Sequence, residues 1–118
     1  MLTQIKSLRE DTLVYELDGY VNKEDIECIN DGIEFKLSKL DAINLMIYIN
    51  AKGEGFDTLI QEFLLALKYS NDINKMAFIS DKNYWKLLVT LDNMSSTYKE
   101  KYFDIDDIAK AWDWIGED

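Results

Sequence analysis

A few residues of this 118-residue chain have the types and spacing to do chemistry. Asp81 and Lys82 sit side by side just past the apolar run 75–80. Open α/β sheets hold their ligands beyond the carboxyl ends of strands. A carboxylate and an ammonium there could orient a polar headgroup, or serve a small hydrolase or transferase as acid and base, with a tyrosine assisting. Carboxylate pairs also occur at Glu24-Asp25 and Asp106-Asp107. Both fall in the first turn of an expected helix, where negative charge complements the helix dipole without any chemistry. Gly53-Glu54-Gly55 precedes a helical pattern whose free N–H groups can hold an anion. It lacks the Lys-Ser/Thr of a phosphate-binding loop, and Glu54 and Asp57 repel a phosphate, so the loop reads as a turn.

What the composition omits narrows the chemistry further. There is no histidine, the side chain that most often serves as a general base or ligates a transition metal. Cys28 is the only cysteine, which excludes an internal disulfide and a multi-thiolate metal site. No metal and no cofactor are expected. The net charge of −10 opposes the phosphate contacts on which nucleic-acid affinity rests, and it opposes adhesion to anionic lipid. At most a peripheral membrane association is expected. No apolar run approaches a membrane span, and Met1–Lys6 lacks the apolar core of a secretion signal, so a cytoplasmic location is expected.

The elements that position these residues follow from periodicity. Leu13, Tyr15 and Leu17 alternate with Val14, Glu16 and Asp18, a half-buried strand, and a weaker strand at 2–8 pairs with it through Arg9-Glu10-Asp11. Asn22, with Asp25 three residues on, caps a helix whose face is Ile26, Ile29, Ile33, Leu37 and Leu40. The stretch 42–49 is nearly all apolar, as a central strand covered on both faces requires. It ends in Asn50, so the carboxylate that a receiver domain would phosphorylate is missing. Phe56, Leu59, Ile60, Phe63, Leu64 and Leu67 mark a second helix, and 75–80 a second buried strand.

The stretch 84–94 is helical in pattern, but its apolar arc is wider than one core-facing stripe needs. Tyr84, Leu87, Leu91 and Met94 fill one face, and Trp85, Leu88 and Val89 extend it sideways. Three roles fit: core under the last helix, a cleft against Phe56, Phe63 and Leu67, or a homodimer contact. A short strand at 101–103 follows. Asp104 or Asp106 then caps a closing helix bearing Ile105, Ile108, Trp112 and Ile115, ended by Gly116. With no proline, no low-complexity tract and no linker, residues 1–118 read as one α/β domain with a mixed, mostly parallel sheet and an antiparallel first strand.

This order of elements resembles the SpoIIAA-like family, a branch of the STAS and CRAL-TRIO type of fold. Three stretches carry the resemblance: Gly19 followed by Asp25; Lys75 through Lys82 and then Trp85; and Phe103 through Ala111 with Trp114-Ile115. The resemblance implies helices packed mainly on one side of the sheet, possible dimers, and an apolar ligand cleft or membrane association. It brings no catalytic residue. Anti-sigma-factor antagonists of the wider STAS group carry a phosphorylatable serine at the loop entering the second helix. Here that loop, Asn50 to Gly55, has no hydroxyl until Thr58, and the switch is not carried over.

The expected function is a non-catalytic binding module with an apolar, lipid-like ligand or a protein partner between the second helix and the 84–94 stretch. Phe56, Phe63, Tyr84, Trp85 and Leu88 would line the space, with Lys52, Asp81 and Lys82 as polar anchors at its mouth. The alternatives are a small hydrolase or transferase using Asp81 and Lys82, and a purely structural homodimer subunit.

Overall fold

The apolar run at 42–49 becomes part of the middle strand of a five-stranded sheet. The structure, a computed structural model, describes residues 1–52, 55–68, 71–81 and 100–117. Their order is β1 (Leu2–Ile5), β2 (Thr12–Tyr20), α1 (Lys23–Leu37), β3 (Ile43–Lys52), α2 (Phe56–Lys68), β4 (Ile73–Ser80) and β5 (Glu100–Asp104). A 3₁₀ turn (Ile105–Asp107) then leads into α3 (Ile108–Ile115). Strand order across the sheet is β1-β2-β3-β4-β5, with β1 antiparallel to β2 and every other pair parallel. Leu45 and Ile47, both 0% exposed, lie in β3 with a strand on either side.

A chain that steps one way across parallel strands with right-handed crossovers lays its connecting helices on one face. α1 and α2 accordingly share a face. Ile26, Ile29 and Ile33 of α1 and Phe56, Ile60, Phe63 and Leu67 of α2 pack there against alternate residues of β2, β3 and β4. The opposite residues, Val14, Met46, Ala77 and Ile79, meet Ala111 and Ile115 of α3, which is no crossover and is free to cover the other side. This is why the central strands lack the apolar/polar alternation of an open sheet.

The helix starts follow local chemistry. Asn22 accepts from the Asp25 amide at 3.0 Å and Asp25 accepts from the Asn22 amide at 3.1 Å, the reciprocal capping expected of this spacing. Gly55 stands before α2 with φ +83, a left-handed conformation that favours glycine. At the last helix the structure departs from the periodicity. Asp104 accepts from the Asp106 amide, but what it caps is the 3₁₀ turn, and α3 begins only at Ile108. The tighter turn shifts the angular phase, which leaves Ile105 49% exposed instead of on the buried stripe.

Lys75 ties the two ends of this arrangement together. Its Nζ donates to the Trp114 carbonyl at 2.7 Å and to the Glu117 carbonyl, and lies 5.4 Å from the Trp114 ring centroid. A cation at the C-terminus of a helix satisfies orphan carbonyls and complements the dipole. Lys75→Met keeps the aliphatic stem and removes the charge, so it is expected to cost about 1–2 kcal/mol. Urea unfolding measures this; a loss below a few tenths of a kcal/mol would show that the lysine is not holding α3.

Candidate functional site

Alternation along β4 sets Met76, Phe78 and Ser80 on the face covered by α2. Their partners in β5 are Glu100, Tyr102 and Asp104, and Ser80 lies beside Ile49 of β3. The strip is apolar at its centre, where the Phe78 and Tyr102 rings stack with centroids 5.5 Å apart and planes 27° apart. Polar atoms mark its two ends. Ser80, 3% exposed, has a hydroxyl oxygen buried with no hydrogen-bond partner, and so has Glu100 Oε1. The other Glu100 oxygen accepts from the Tyr102 hydroxyl at 2.7 Å. An unpaired buried polar atom costs about 1–3 kcal/mol, and native structures contain few of them. Among the described residues these are the two such side-chain atoms, and they share one strand pair and one face.

The residues anticipated from sequence distribute around this strip. Phe56 and Phe63, 4% and 2% exposed, are packed in the cluster of the α2 face together with Ile49, Ala51 and Phe78. Lys52 is the last residue of β3. Lys82, Tyr84, Trp85 and Leu88 lie outside the described residues. Asp81 follows Ser80 at the carboxyl ends of the strands, where the two line a small pocket of about 130 Å³ with Glu16, Tyr48, Asn50 and Ile105. Tyr48 and Ile79 of that pocket belong to the cluster packed on α3 and Ile49 to the cluster packed on α2, so it lies across the strand ends between the two faces.

The pocket carries two carboxylates, Glu16 and Asp81, on a lining that is about half apolar. Asn50, where a receiver domain would need an aspartate, donates to Asp18 Oδ1 at 2.8 Å and so joins the ends of β3 and β2. Burial, and after it the Glu16 carboxylate, pushes the Tyr48 phenol above its usual range, which keeps it a donor. Cys28 is exposed on α1. Among the described residues no three His, Cys, Asp or Glu side chains gather as metal ligands, and no helix is long and apolar enough to cross a membrane.

A sequence profile of the SpoIIAA-like family matches residues 12–116. The chain belongs to the SpoIIAA-like family. The match runs from the first residue of β2 to the residue after α3, so it takes in every parallel strand of this SpoIIAA-like domain and leaves only β1 outside. The fold is similar to that of an uncharacterised protein of the DUF3478 family from Shewanella loihica PV-4, which has a SpoIIAA-like fold. The TM-score is 0.64 at 19% identity, covering 98% of this chain and 92% of that one. At that identity the likeness concerns fold. No curated protein matches the sequence.

Sequence reasoning missed Ser80 and Glu100 in this SpoIIAA-like chain. A signal for the first was present: Ser80 continues the alternate series Met76, Phe78, so it belongs to the face that packs inward. Glu100, at the start of a short strand, carries no such mark.

Proposed function

We propose that this SpoIIAA-like chain is a non-catalytic binding module that holds an apolar or amphipathic small molecule against the sheet face covered by α2. The observation that carries the reading is the Ser80 hydroxyl, buried to 3% exposure without a partner among the described residues. A buried hydroxyl without a partner favours a ligand that brings its own hydrogen-bonding group. Phe56 and Phe63, packed in the core cluster of that side, make its interior apolar. In sequence, Tyr84, Trp85 and Leu88 offer more apolar side chains. Lys52 ends β3 and Lys82 follows β4, so both belong by chain position to the carboxyl ends of the strands, where ligands of such sheets bind.

Asp81 does not strengthen the hydrolase alternative: Ser80 is the hydroxyl beside it in that pocket, and the chain has no histidine to act as its base. Native mass spectrometry of the purified full chain tests the proposal. The expected spectrum is a protein ion carrying a small apolar mass that is released on collisional activation. A bare monomer that takes up no added decanol overturns the proposal, and a bare dimer that takes up none favours the structural-subunit reading.

A further inference from the structure

Resting on the binding module proposed above, we infer that its ligand is an elongated apolar molecule with a hydrogen-bonding group at each end, one at Ser80 and a donor at Glu100. The inference comes from where the two unpartnered atoms lie. Glu100 pairs with Met76, and Ser80 follows Met76 by four residues on the same strand. The two positions are therefore one strand apart sideways and about 13 Å apart along the strands. Both side chains are on the α2 face, and between them lie the stacked rings of Phe78, which is fully buried, and Tyr102, which is partly exposed.

The chemistry at each end is different. A serine hydroxyl both donates and accepts, so it tolerates a hydroxyl, carbonyl or carboxyl group. Glu100 Oε1 accepts, and its sister oxygen is already engaged by Tyr102. It therefore selects a hydroxyl or an amine at the far end of the chain. A ligand polar at one end would satisfy one atom and leave the other buried and unpaired, and a site built for a hydrogen bond discriminates strongly against a molecule lacking it.

Two probes of equal length separate the inference from the reading on which it rests: decanol, and decanediol with a hydroxyl at each end. Isothermal titration calorimetry of the full chain, freed of co-purified molecules by refolding, is expected to give about tenfold tighter binding of the diol. Ser80→Ala and Glu100→Met, each first shown to be folded by circular dichroism, should reduce the diol to the affinity of decanol. Equal affinities in the wild type overturn the two-ended ligand while leaving a binding module. A diol preference that survives both substitutions overturns the placement at these atoms. Failure of both probes to bind overturns the binding reading itself.

Discussion

Phe63→Ala is expected to destabilise the fold by about 3–5 kcal/mol. Phe63 is 2% exposed in the middle of α2, one turn after Ile60 and one before Leu67, and all three belong to the cluster that joins the helix to β3 and β4. Truncating a fully packed ring loses its transfer free energy and leaves a cavity that the flanking β-strands, hydrogen-bonded on both sides, cannot close. Equilibrium urea unfolding should show a lower midpoint with an unchanged slope. A loss below about 1 kcal/mol would mean that Phe63 is not core, and that its apolar surface is held in reserve for a ligand.

Gly32→Ala is the second substitution with a large expected effect, and its sign reverses with the background. Gly32 is in the interior of α1, where alanine gains about 1 kcal/mol in helix propensity. A Cβ at this position, however, would fall 2.0 Å from the Tyr15 hydroxyl oxygen and 3.3 Å from the ring carbon bearing it. Tyr15 is 3% exposed, and a rigid ring in a packed core cannot swing aside. The substitution should therefore destabilise by about 1–3 kcal/mol net of the propensity gain. Made in a Tyr15→Phe background, where the clashing oxygen is gone, it should be neutral or stabilise by up to about 1 kcal/mol. Thermal unfolding of the four proteins completes the cycle, and additivity of the two changes would show that the contact does not constrain the helix.

Much of the architecture was legible because each of its causes is local. The alternation at Leu13, Tyr15 and Leu17, the unbroken run at 42–49 and the helical stripe of Ile26, Ile29 and Ile33 each report a burial pattern that one element needs. The capping pair Asn22 and Asp25 needs only three residues of spacing. The order of strands follows because sequential crossovers of one hand leave little choice. Ile105 went astray because a 3₁₀ turn has a different angular step from the helix it precedes.

The site was less legible, for a different physical reason. Periodicity identifies Phe56 and Phe63 as inward-facing, but a core and a cleft ask for the same apolar side chains at the same spacing, so the pattern cannot tell them apart. Glu100 becomes notable only through register: a glutamate opening a short strand looks like an ordinary strand end until pairing puts it on the face of Met76 and Ser80. Asp81, singled out for its place beyond β4, lines a pocket at the strand ends together with Ser80, Glu16 and Tyr48.

The binding reading stands or falls most directly on paired thermal unfolding of the refolded, ligand-free wild type and Ser80→Ala, each with and without decanol. If the Ser80 hydroxyl waits for a ligand, removing it relieves an unpaired buried oxygen, and the ligand-free variant should be the more stable by about 1 kcal/mol. Decanol should raise the melting temperature of the wild type in a concentration-dependent way and raise that of the variant less. A variant less stable than the wild type, with decanol moving neither protein or both equally, would contradict the account.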